Sequence, residues 1–162
     1  MEASRQSLAE RPRIALGADH TGFQAKENMK IHLQSSGYVV SDEGTSSEES
    51  VDYPDFAISV ARRVQQGQYD LGMLVCGTGI GMAMAANKIG GVRAAVAHDA
   101  LTARMSREHN DANVLAMGAR VLNGYQIIEV AESFLSAQFA GGRHRRRVEK
   151  ISELDQEPKH KE

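Results

Sequence analysis

Five short apolar runs punctuate the 162 residues, and stretches with helical spacing separate them. The runs occupy residues 13–17, 38–40, 71–75, 92–96 and 113–117. After the first of them, Ala25, Met29 and Leu33 recur at helical intervals until Gly37 ends the pattern. Ala57, Val60, Ala61 and Val64 line a second helical face behind Pro54, a residue suited to a first helical turn. Ile127, Ile128, Ala131 and Leu135 mark a third helix behind the last run. Continuous apolar strands that alternate with amphipathic helices must be covered on both faces, which predicts a parallel sheet between helical layers. The expected fold is therefore α/β, a Rossmann-like three-layer α/β/α domain with a five-stranded parallel sheet and right-handed crossovers.

With no internal repeat and no linker, one domain is expected over residues 13–154, between a polar N-terminal extension (1–12) and a polar tail (155–162). A net charge of -2 gives no global attraction to nucleic acid or to an anionic membrane. No apolar stretch approaches the roughly 20 residues that a membrane helix needs, and the first residues lack a signal-peptide core. A single cysteine cannot form an internal disulfide, which points to a reducing, cytoplasmic setting. Six scattered histidines without a His-Glu-x-x-His motif make a protein-built metal site unexpected.

In a parallel sheet, ligands bind beyond the carboxyl ends of the strands, where the strand order reverses. That rule puts Asp19 and His20, the stretch Cys76-Gly77-Thr78-Gly79-Ile80-Gly81, and His98 and Asp99 around one crevice. His109 and Asn110 precede the fifth strand, at its other end, unless their segment folds back over the rim. The glycines at 77, 79 and 81 do not match the dinucleotide spacing Gly-x-Gly-x-x-Gly, although Asp99 stands where its acidic residue would. No Walker-type Gly-Lys-Ser/Thr follows either.

Alternating glycines at a helix start instead expose successive backbone N–H groups, a nest suited to an oxyanion that forms during reaction. A cysteine beside such a nest feels the same positive field, which favours thiolate over thiol. Cys76 thus suits a base or a nucleophile, against the bland alternative of a small buried residue at a strand end. Asp19 read alone is a turn-capping aspartate, and His109 read alone a satisfied loop histidine. The block Arg143-His144-Arg145-Arg146-Arg147 is most simply a solvated charge run, without the interleaved aromatics of a single-strand binder. Its guanidinium forks do match a small-molecule phosphate. Val148, Ile151 and Leu154 follow at helical spacing, a narrow apolar stripe for the chain's own domain or for a second subunit.

Taken in order, Gly17-Ala18-Asp19-His20-Thr21-Gly22, Asp52-Tyr53-Pro54, the Cys76 loop, Ala85-Ala86-Asn87-Lys88, Ser106-Arg107-Glu108-His109-Asn110 and Gly141-Gly142-Arg143-His144 resemble the type B ribose-5-phosphate isomerases. That family also includes the galactose-6-phosphate isomerase subunits, and the likeness runs from about Ile14 to Ile151. The resemblance implies interconversion of D-ribose 5-phosphate and D-ribulose 5-phosphate through an enediolate, in the non-oxidative pentose phosphate pathway, without metal or organic cofactor. It also implies a homodimer or tetramer with shared active sites, the C-terminal helix reaching a partner subunit. Carried over, Cys76 is the base between C2 and C1. The amides of Gly77, Thr78, Gly79, Ile80 and Gly81 stabilise the enediolate, with the Thr78 hydroxyl close by. His109 assists ring opening, Asp19 and Tyr53 face the sugar, and Asn110 holds it. His20, Arg120, Arg143, His144 and Arg147 surround the phosphate. One branch of the family carries a glutamate base at the position of Met82, so this chain falls in the cysteine branch. Competing expectations are a six-carbon substrate (allose 6-phosphate or galactose 6-phosphate) and, from another class, a nucleotide-binding module.

Overall fold

The computed structural model describes residues 11–157. The expected extension up to residue 10 and the tail from residue 158 lie outside the described residues. Five strands, β1 (Ile14–Ala18), β2 (Val40–Asp42), β3 (Leu71–Cys76), β4 (Ala94–Val96) and β5 (Val114–Gly118), form one parallel sheet in the order β2-β1-β3-β5-β4. The helices are α1 (Phe23–Ser35), α2 (Tyr53–Gln65), α3 (Ile80–Ala86), α4 (Ala100–Asn110), α5 (Gly124–Ser136) and α6 (Arg143–Glu153).

The three central strands are buried along their whole length, as continuous apolar runs in a twice-covered sheet must be. Alternation along each strand divides the core into two. Leu16, Met73 and Leu115 meet Met29 and Leu33 of α1, Ala103 of α4 and Phe134 of α5 on one face. Ala15, Leu74, Cys76 and Ala116 meet Val60 of α2 and Met82 of α3 on the other. The result is the expected three-layer α/β/α sandwich.

The edges differ from the sequence expectation. β2 starts at Val40, because the Val39 carbonyl already accepts from Ile14 N–H (2.9 Å) and the ladder continues through Asp42. Tyr38 packs against the core while Val39 is exposed, so the apolar run marks the approach to the strand. β4 is shorter than its apolar run. The Asn87 side chain stands in for a neighbouring strand there, donating to the Ala94 carbonyl (2.9 Å) and accepting from Ala94 N–H (2.7 Å). No apolar pattern announces α4, since only Ala103 and Ser106 of it are buried. Asp99 starts that helix by accepting from Thr102 N–H (2.7 Å), and these Thr102 hydrogen bonds hold the Asp99 carboxyl below the usual range. In α6 only Val148 of the expected apolar stripe is buried; Ile151 is 48% exposed, and Leu154, 60% exposed, lies in the 3₁₀ turn that follows.

Strand β1 lies between β2 and β3, so the strand order reverses at β1 and a crevice opens between the carboxyl ends of β1 and β3. A buried ion network braces that corner. Lys26 of α1 is fully buried, and its ammonium lies 2.7 Å from both Asp42 and Glu27. Lys30 adds a second contact to Asp42 at 2.7 Å. Asp42 also accepts from Gly44 N–H, and the Gly44 carbonyl accepts from Ala18 N–H, one residue before Asp19. Burial works against the Asp42 carboxylate, but hydrogen bonds from Lys26, Lys30 and Gly44 prevail and hold it at about 2.

Asp42→Asn leaves a buried ammonium half compensated and is expected to destabilise the fold by about 3 kcal/mol near neutral pH. A carboxyl held low in the folded state contributes stability above its ordinary range and loses it as pH falls. The gap between parent and variant should therefore narrow between about pH 4 and pH 2. Urea melts across that range check both the size and the sign.

Candidate active site

β3 ends in Cys76, and the chain turns through Gly77 and Thr78 into α3. Gly79, the residue before α3, has φ +79°, the left-handed region that costs other residues strain. A side chain there would also come within 2.9 Å of the Met117 backbone nitrogen, because the turn lies against β5. The backbone beyond β5 closes over it, Ala119 N–H donating to the Cys76 carbonyl (2.8 Å) and Arg120 N–H to that of Gly77 (3.0 Å).

This geometry aims Gly79 N–H at the Cys76 sulfur, with N···Sγ at 3.2 Å. An N–H donor to sulfur favours the thiolate. Cys76 is a free thiol, 4% exposed, and it belongs to the wall of a cleft of about 490 Å³. Asp19, His20, Tyr53, Thr78 and Arg120 line the same cleft. Of the five amides expected to face an oxyanion, two have partners inside the turn: Gly79 N–H on the sulfur and Ile80 N–H on the Thr78 hydroxyl (3.3 Å).

Each wall residue is placed by its own loop. Asp19 Oδ1 accepts from Thr21 N–H, the Thr21 hydroxyl and Gly22 N–H, the local turn read from the sequence, which leaves Oδ2 as the oxygen available to a ligand. His20 Nδ1 accepts from Val51 N–H (3.2 Å), so the ring hydrogen sits on Nε2 and His20 is a donor toward a ligand. Tyr53 opens α2 with its ring against Gly81, where a Cβ would lie 2.5 Å from the ring. His98, whose position the sequence put at the crevice without a role, donates from Nε2 to the Thr78 carbonyl (3.0 Å).

The remaining predicted residues lie elsewhere in the chain. α4 starts beyond the carboxyl end of β4 and returns to the start of β5, so His109 and Asn110, its last residues, sit at the opposite end of the sheet from Cys76. Four residue steps along β5 lead from Val114 to Gly118, the register partner of Cys76, a height of about 13 Å. His109 stacks on His144 with ring centroids 4.3 Å apart. Burial, then the positive charges of His109, Arg143 and Arg147, push His144 below the usual imidazole range. None of His109, Asn110, Arg143, His144 and Arg147 lines the Cys76 cleft. Among the described residues no carboxylate pairs with Arg120, Arg143 or Arg147. A larger bowl of about 650 Å³ opens below the strands, but its Arg93 and Arg107 are already committed to Asp111.

Gly79→Ala forces a side chain into the left-handed region against β5 and is expected to lower stability by about 2 kcal/mol. Thermal melting of the variant measures this.

A family model described as Ribose/Galactose Isomerase matches residues 14–151. Ribose-5-phosphate isomerase B of Escherichia coli is 46% identical over 144 residues, spanning 89% of this chain and 97% of that protein. The solved structure of ribose-5-phosphate isomerase B from Clostridium thermocellum superposes with a TM-score of 0.87 at 48% identity, over 88% of this chain and 97% of that one. The Mycoplasma genitalium enzyme, solved with bound ribulose-5-phosphate, gives a TM-score of 0.87 at 41% identity, over 90% and 97% of the two chains. Spanning nearly the whole domain, this likeness shows that the chain belongs to the ribose/galactose isomerase family.

Proposed function

We propose that the chain interconverts D-ribose 5-phosphate and D-ribulose 5-phosphate, with Cys76 as the base. The observation that carries this reading is the Gly79 N–H donated to a thiol in the wall of a cleft that Asp19, His20, Thr78 and Arg120 also line. A proton on carbon beside a carbonyl is only weakly acidic, so its removal needs a placed base and donors for the oxygen that becomes negative. The Cys76 thiolate takes the proton from C2 of the open aldose, and the electron pair moves through C2–C1 onto the C1 oxygen. The resulting enediolate lies beside the amides of residues 77–81 and the Thr78 hydroxyl. Returning the proton to C1, while the O2 hydrogen passes to O1, gives the ketose.

The complete site requires two subunits. The cleft of one subunit supplies Asp19, His20, Tyr53, Cys76, Thr78 and Arg120. A second copy supplies His109 and Asn110 for ring opening and sugar binding, with Arg143, His144 and Arg147 toward the phosphate. Support comes from the separation of these groups within one chain and from arginines that lack carboxylate partners among the described residues. A two-fold dimer places each set opposite the other twice. Exposed Ile80, Met84, Val96, Ile151 and Leu154 supply apolar surface for such a contact. Phosphate held at the far end contributes binding energy that fixes the reacting carbons. The free thiol suits a reducing cytoplasm, and among the described residues no helix is long and apolar enough to cross a membrane.

Cys76→Ser is expected to lower kcat on ribose 5-phosphate by about 10²- to 10⁴-fold with the fold intact. Proton NMR in heavy water should show deuterium entering the substrate only with the parent protein. A parent protein that turns over six-carbon but not five-carbon phosphates would overturn the substrate assignment. A second measurement addresses the shared site. Cys76→Ser and His109→Asn chains, each inactive alone, should recover about a quarter of parental activity after unfolding and refolding together, because mixed dimers keep one intact site. No recovery, with mixed dimers present, would place both groups in one chain's site.

A further inference from the structure

The His98 side chain, just beyond β4, touches the Cys76 turn and has no part in the mechanism above. Its Nε2 lies 3.0 Å from the Thr78 carbonyl oxygen. A carbonyl only accepts, so Nε2 carries the hydrogen. That carbonyl belongs to the peptide group joining Thr78 to Gly79, the same group whose N–H lies 3.2 Å from the Cys76 sulfur. In a trans peptide the C=O and N–H point in opposite directions. His98 and Cys76 therefore hold one amide plane from its two ends.

We infer that His98 is a positioning residue for the isomerase reaction: by donating to the Thr78 carbonyl it fixes the Thr78–Gly79 peptide and strengthens its N–H as a donor to the Cys76 thiolate. Two effects follow from one bond. Gly79, with no side chain and a left-handed φ of +79°, leaves the peptide plane free to rotate unless something pins it. Hydrogen bonds in series also polarise each other, so a donor at the carbonyl makes the N–H at the far side of the same amide a better donor. Half-buried at the start of the Asp99-capped helix α4, His98 is held by an element of its own.

The inference rests on Cys76 as the base, but its test reads the thiol directly, without substrate. Iodoacetamide alkylates the single cysteine at a rate set by its thiolate fraction. His98→Leu is expected to slow alkylation at neutral pH by about threefold to tenfold, the worth of one modest hydrogen bond. The acid limb of the kcat profile should move to higher pH, with KM little changed. Near pH 9.5, where thiols are largely ionised, the rates should converge. His98→Gln places an amide N–H close to Nε2 and should restore most of the neutral-pH rate. Asp19, His20, Tyr53 and Arg120, the charged and titratable groups around the same cleft, stay in place throughout. His98→Ala replaces the leucine variant if that one does not fold.

Parental alkylation at neutral pH in a folded His98→Leu protein would overturn the inference. So would a folded His98→Gln protein as slow as the leucine variant, or a loss of rate that persists at high pH, which would mean changed access. Failure of the isomerase reading appears separately, as a parent protein with normal alkylation and no turnover of sugar phosphate.

Discussion

The hydrogen bond from Gly79 N–H to the Cys76 sulfur concentrates what the fold does. Three separate conditions produce it. β3 must end at residue 76 so that the sulfur emerges on the side of the sheet covered by α2 and α3. The turn must pass through a left-handed residue closely enough against β5 that only glycine fits. The backbone beyond β5 must clamp the turn through Ala119 and Arg120. None of these is a property of the cysteine. In the proposed reaction the thiol acts as a base because the turn that follows its own strand fixes an amide against it, and the backbone beyond β5 holds that turn in place. That fixed dipole needs no reorganisation when charge develops.

The same topology limits what one chain does alone. α4 must run antiparallel to the strands it joins, so residues at its carboxyl end fall at the amino end of the sheet. His109 and Asn110 therefore lie far from Cys76, and α6, whose His144 stacks on His109, lies with them. No rotamer change spans a height of about 13 Å. Two sets of groups at opposite ends of one chain are what the proposed two-fold assembly would reunite.

What could be read from the residues divides along physical lines. β1, β3 and β5 and the helices α1, α2 and α5 were legible, because a strand buried on both faces or a helix with one buried face writes its environment into its spacing. The edges were not. β4 is completed by the Asn87 amide, and β2 by a register that leaves Val39 outside, and neither device has a periodic signature. α4 was invisible for the related reason that its starting signal is a single capping aspartate. At the site, Asp19, Cys76 and the glycines announced themselves by type and order. His98 did not acquire a role, since its contact is to a backbone carbonyl, and any residue has one of those.

Helix α6 is poorly equipped to be stable on its own. Four of its first five residues, Arg143, Arg145, Arg146 and Arg147, are cations at the positive end of the helix dipole. Gly142 offers no capping side chain, and Val148 is the helix's buried residue. Eleven residues with such charges make a poor helix in water. A phosphate dianion at that end would turn the dipole, the unpaired guanidiniums and the exposed N–H groups from mutual opponents into partners. The lowered His144 fits this account, because burial, then neighbouring positive charge, works against its protonation beside His109. Ile151 and Leu154 are exposed in the single chain and offer apolar surface to the proposed dimer. A helix so poorly stabilised on its own is where a site completed, in the proposed reading, by assembly and by substrate should keep its least self-sufficient part.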